Sequence, residues 1–108
     1  MIRRIWHGWT SHQNAGAYET LLKEEIIAGI QGRAIPGFRG MELLRRELAD
    51  ETEFITIMTF DSLDAVREFA GDDYERAVIP PKARALLARF DPRSQHYDLR
   101  CQVEAGNG

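Results

Sequence analysis

Chemistry in this 108-residue chain can start from three histidines and from Arg4. His7 lies in IRRIWHGWT, His96 opens the stretch HYDLRCQV, and His12 sits in the polar run SHQN. Imidazole titrates near neutrality, so His7 or His96 can act as a base towards an acidic phenol or an activated C–H, with Asp98 two residues beyond His96 to orient it. The plainer reading of each is a solvated or hydrogen-bonded strand residue, and His12 reads as solvated. Arg4 can hold a substrate oxyanion; an ion pair to Glu42 or Asp98 is its plainer role. Trp6 and Trp9 are an odd number of positions apart, so on a strand they face opposite sides. Trp6 shares a face with Arg4 and with Gly8, whose missing side chain leaves room beside the ring for a flat ligand. Two core tryptophans remain the alternative. Tyr74, between the breaks at Gly71 and Pro80, either meets a ligand or packs its ring on the surface. Three scattered histidines form no metal-ligand pattern, and Asp72-Asp73 reads as a helix cap, so no metal is expected.

These groups must be carried by regular elements. Ile2 to Thr10 reads as a strand. Ser11 or Asn14 can cap a helix from Ala15 to about Ile30, whose stripe is Tyr18, Leu21, Leu22, Ile26 and Ile30. Pro36-Gly37 makes a turn into a strand from Phe38 to Leu48. Glu53 to Ala70 reads as a strand running directly into a helix capped by Asp61 or Ser62. That strand is apolar on both faces, with Phe54, Met58 and Phe60 on one side and Ile55 and Ile57 on the other, so it must be covered twice. Asp72-Asp73 can cap a helical turn through Val78, and Pro81 suits the first position of a helix from Lys82 to Arg89. Gln95 to Val103 alternates as a last strand.

The order is strand, helix, strand, strand, helical region, strand. It predicts an α+β, ferredoxin-like βαββαβ domain over residues 1–103, with a loose tail at 104–108. Helices cover one face of a four-stranded antiparallel sheet. The open face is expected to carry Phe54, Met58 and Phe60 with help from the tryptophans, and an apolar face of that size calls for a two-fold partner. The predicted assembly is a homodimer that closes a barrel around a cavity.

Composition narrows the function classes. A formal charge of -3 and the absence of a basic stripe give no case for nucleic acid. No apolar run approaches the roughly 20 residues a membrane helix needs, and the first residues lack a signal-peptide core, so a cytoplasmic protein is expected. The single cysteine, Cys101, excludes an intramolecular disulfide and reads as a small buried hydrophobe. No phosphate-binding glycine loop or nucleotide fingerprint is present.

From Ile2 to about Val103 the chain resembles the antibiotic biosynthesis monooxygenase superfamily of dimeric α/β barrels. Three stretches carry the likeness: Pro36-Gly37-Phe38-Arg39-Gly40; Thr59-Phe60-Asp61-Ser62-Leu63-Asp64-Ala65 running on to Phe69; and His96-Tyr97. The second matches the aromatic-x-Ser-x-x-Ala-x-x-Phe passage from third strand to second helix. The resemblance implies a small apolar or aromatic ligand in the barrel, oxidised without metal or organic cofactor. His7, His96 and Arg4 are then the catalytic candidates, and Trp6, Met58, Phe60, Phe69 and Tyr74 the ligand-binding ones. The related barrels imply two alternatives: a non-catalytic ligand-binding or stress-linked dimer, and an isomerase or cyclase. Haem-degrading relatives carry an iron-ligating histidine about ten residues after the aromatic that matches Phe69. That position falls near Ile79, where there is no histidine, so haem degradation by that route is not expected.

Overall fold

The structure, a computed structural model, describes residues 1–106. Strand β1 (Ile2–Thr10) is followed by helix α1 (His12–Leu21), which runs through π-helical turns at Leu22–Ile27 into α2 (Ala28–Gly32). Then come the hairpin β2 (Phe38–Glu47) and β3 (Thr52–Phe60), helix α3 (Leu63–Ala70), helix α4 (Pro81–Leu86), and short strands β4 (Leu87–Phe90) and β5 (Gln95–Asp98). All pairings are antiparallel and the order is β2-β3-β1-β4, with β5 also on β1. β4 pairs with Gly8 to Thr10 and β5 with Ile2 to Ile5, so the two together fill the fourth strand position of the ferredoxin-like sheet.

Local chemistry accounts for the boundaries. The Ser11 hydroxyl accepts from the Asn14 N–H at 3.1 Å and the Ser62 hydroxyl from the Ala65 N–H at 3.2 Å, each capping its helix. Asp61 does not cap; it pairs with Arg39, 2.7 Å from its Nε. Gly37 has φ +81, and a Cβ there would lie 2.7 Å from that of Ala65, so the turn into β2 admits only glycine without strain.

Four expectations are corrected. The helix predicted to Arg89 stops at Leu86, because the unpaired edge of β1 beyond Ile5 recruits Leu87–Phe90 as a strand. The turn predicted after Asp72-Asp73 is not helical. Its backbone is engaged elsewhere: Ala77 N–H donates to the Pro92 carbonyl at 2.9 Å, and the Tyr74 and Arg76 carbonyls accept from Arg4. The last strand ends at Asp98 rather than Val103, since the Leu99 N–H reaches the Met1 carbonyl and β1 offers nothing further. Cys101, past that point, is exposed rather than buried.

The sheet faces are the largest correction. Register puts Ile2, Arg4, Trp6, Gly8 and Thr10 on the same side as Phe60, Met58, Thr56, Phe54 and Thr52. That side is the buried one, beneath the helices. Phe54, Met58 and Phe60 therefore belong to the protomer core and not to the open face. The open face carries Ile5, Trp9, Ile55, Ile57 and Leu44, the last 45% exposed. The two-sided apolarity of β3 is real, and its Ile55-Ile57 side is the uncovered one.

Candidate functional site

A cavity of about 60 Å³ lies between the helix-facing side of the sheet and the helices. The sheet supplies Arg4, Trp6, Met41, Thr56 and Met58. Tyr18, Leu22, Ile26 and Ile30 come from the first helix, Phe69 from α3, and Val78-Ile79-Pro80 from the irregular segment. The cavity is inside one protomer, beneath the helices rather than on the open face of the sheet.

Trp6 forms one wall, its indole N–H held by the Asp91 carbonyl at 2.8 Å. Gly8 is what allows the ring to lie along the strand: a Cβ there would sit 2.4 Å from Trp6 Cη2. The space beside Gly8 is filled by the tryptophan itself, not kept for a ligand. Phe69 forms another wall, with the Phe60 ring tilted behind it at 5.9 Å between centroids.

Arg4 is 3% exposed. Its Nη1 donates to the Tyr74 carbonyl and to His96 Nε2 at 3.0 Å; its Nη2 donates to the Arg76 carbonyl at 3.1 Å. The guanidinium carbon lies 5.5 Å from the Phe69 ring centroid. Among the described residues no carboxylate lies within salt-bridge distance, so neither Glu42 nor Asp98 is its partner. Burial lowers its pKa to about 10, which still leaves it charged at neutral pH.

An arginine cannot accept a hydrogen bond, so His96 accepts at Nε2 and carries its proton on Nδ1. That Nδ1–H is buried without a partner. Burial first, and then the Arg4 charge, hold the imidazole below its usual pKa, against a smaller opposing pull from Glu75. His96 is thus neutral. Tyr74 touches the same ring edge-on at 5.1 Å and gives Arg4 its carbonyl rather than its phenol.

His7 is not in this site. Register places it opposite Ile55 and His96 opposite Arg4, so the two imidazoles lie on different faces of the sheet, not on one. His7 binds Glu53 at 3.1 Å and lies 6.0 Å from the Trp9 ring on the open face. Nor is His12 a free loop residue: it starts α1 and contacts Glu47, Thr52 and the Ala49 carbonyl at 3.0, 3.1 and 3.1 Å. Sequence reasoning placed Tyr18 only in a core stripe. It is also a cavity wall, its phenol kept neutral by burial, which raises its pKa. Ile79 lines the cavity with an apolar side chain that cannot ligate a metal.

No cluster of three or more His, Cys, Asp or Glu with metal-binding geometry occurs among the described residues, and no helix is long and apolar enough to cross a membrane.

The elements define a ferredoxin-like α+β protomer with a small, partly open cavity in its core. No protein-family model matches the chain, and no curated protein matches it by sequence. Solved structures do. A Bacillus cereus protein provisionally assigned as an antibiotic biosynthesis monooxygenase aligns with a TM-score of 0.67 at 11% identity, over 96% of this chain and 97% of that one. SnoaB, a cofactor-independent oxygenase from Streptomyces nogalater, aligns with a TM-score of 0.60 at 20% identity, over 96% and 98%. The chain has the fold of the antibiotic biosynthesis monooxygenases over nearly its whole length. At these identities the likeness is one of fold.

Proposed function

We propose that this chain is a cofactor-independent oxygenase of a small electron-rich aromatic molecule held between sheet and helices. One observation carries the reading: an apolar cavity, with Trp6, Tyr18 and Phe69 among its mainly aliphatic walls, contains a buried guanidinium with no carboxylate partner among the described residues, beside a neutral imidazole. The fold shared with SnoaB, itself a cofactor-independent oxygenase, supports it. In this scheme the substrate gives its proton to water and reacts as its anion. The substrate supplies four electrons to one O₂; one oxygen atom enters the substrate as a carbonyl and the other leaves as water. Arg4 pairs with the negative charge of the substrate, and the apolar walls limit competition from water.

His96 takes a different role from the general base its sequence position suggests. Its Nε2 lone pair already accepts from Arg4, and a second positive charge there is disfavoured. Its free Nδ1–H makes it a hydrogen-bond donor. The test is oxygen uptake with acidic phenols and anthrone-type compounds and no added cofactor. Uptake that disappears in Arg4→Met supports the reading; no uptake across the panel overturns it.

A second reading, binding without turnover, is favoured by the lining itself, which contains no carboxylate and no free imidazole to take a proton. The same lining weighs against an isomerase or cyclase, whose turnover would persist without oxygen. We also assign the open face to a second copy of the chain, because Ile5, Ile55, Ile57 and Leu44 form a continuous apolar strip across three neighbouring strands.

A further inference from the structure

We infer that the cavity binds a ligand bearing a carboxylate, which pairs with Arg4, while the apolar walls hold the rest of its body. The inference rests on the reading of this cavity as the substrate site and adds the chemical class of the substrate. Arg4 has five N–H donors. Three are used: two on Nη1, to the Tyr74 carbonyl and His96 Nε2, and one on Nη2, to the Arg76 carbonyl. The two left over are one on Nε and one on Nη2, and those two atoms form the side-on edge of the guanidinium that a carboxylate grips with both oxygens.

Among the described residues every acceptor on Arg4 is neutral, so its charge is buried without a compensating carboxylate. Glu75 lies in sequence between the two residues whose carbonyls accept from Arg4, yet its half-exposed carboxylate turns to Arg93 at 3.5 Å. A two-fold partner on the open face cannot reach Arg4 from there, because Arg4 is on the other side of the sheet. The missing negative charge therefore has to arrive through the cavity. A phenol, with a pKa of about 10, enters mostly neutral, whereas a carboxylic acid, with a pKa of about 4, is already ionised at neutral pH. Only the carboxylate compensates the arginine throughout the binding step. Trp6, Met58 and Phe69 around it favour a flat or unsaturated body.

The experiment compares matched ligands on the unchanged protein by calorimetry without oxygen: benzoate against benzamide, cinnamate against cinnamamide, and phenol alone. The expected result is that each carboxylate binds at least tenfold more tightly than its amide. In Arg4→Met that gap closes while amide binding persists, and in Arg4→Lys, which keeps the charge and loses the two-pronged edge, it shrinks. Equal affinities within each pair, a gap that survives in Arg4→Met, or no saturable binding of any carboxylate overturns the proposal. If Arg4→Met fails to fold, the matched pairs on the unchanged chain and Arg4→Lys decide the matter. Carboxylate binding without oxygen uptake would sink the oxygenase reading alone; uptake with neutral phenols and no carboxylate preference would sink this one alone.

Discussion

Arg4 Nη1 lies 3.0 Å from His96 Nε2, across the pairing of β1 with β5. Residues 92 positions apart thus share one hydrogen bond, and each sets the state of the other. The arginine fixes the histidine as a neutral Nδ1–H tautomer, and the histidine occupies one of the arginine's five donors.

That contact gives the protein an acid sensitivity. The folded pKa of His96 is depressed below its unfolded value of about 6.5. Its contribution to stability is therefore full above about pH 6.5 and is lost as pH falls from there through the folded pKa. His12 is shifted the opposite way, chiefly by the Ala49 carbonyl and then by Glu47; its contribution is present below about pH 6.5 and is lost as pH rises through its folded pKa. Thermal melts across pH 4.5 to 8 should show His96→Gln flattening the acid-side loss and His12→Gln steepening it. An unchanged profile in His96→Gln would show that the imidazole is not held neutral.

Gly8→Ala should destabilise the fold by about 1–3 kcal/mol, the usual cost of overpacking. The new methyl would sit 2.4 Å from Trp6 Cη2 and 3.0 Å from Leu87 Cδ2, both in well-packed surroundings. Because the ring it displaces is a cavity wall, Trp6 fluorescence should shift along with the denaturation midpoint. A neutral variant would mean that the ring has somewhere to go.

Ile57→Lys should abolish self-association and leave the protomer folded. Ile57 lies on the open face and is only half-buried, so a lysine there can reach water in the monomer but not between two apposed sheets. Light scattering before and after the substitution measures this, with circular dichroism as the control for folding. A wild-type chain that is monomeric at all concentrations would refute the pairing.

The cavity of about 60 Å³ is far below the roughly 300–1,000 Å³ of pockets for drug-sized ligands. Even a single aromatic ring, which occupies a cavity of about 150 Å³, can enter only if a wall moves. The candidates are the π-helical turns at Leu22–Ile27, an uncommon geometry that recurs at functional sites, and the non-helical segment 71–80. Hydrogen exchange should be faster at both than in β1 and β3, and should slow on ligand binding. Protection equal to that of the central strands would exclude such an opening.

Much of this architecture is legible in local sequence. Caps at Ser11 and Ser62, the Pro36-Gly37 turn and the alternation of β1 and β3 depend on neighbours in the chain, so residue type suffices to place them. Trp6 and Trp9 face opposite ways for the same local reason. The true helix face of the sheet was not legible, because β3 is apolar on both sides and periodicity alone cannot tell which side helices will cover. Leu87–Arg89 reads as helix until the bare edge of β1 claims it, with Phe90, as a strand. The segment after Asp72 loses its helical turn because Arg4, distant in sequence, takes its carbonyls. The sequence by itself determined a ferredoxin-like order of elements and an arginine on the same strand face as a tryptophan. Only the tertiary structure decided that this arginine is buried without a carboxylate, since burial and charge pairing are properties of what folds around a residue and not of the residue's own place in the chain.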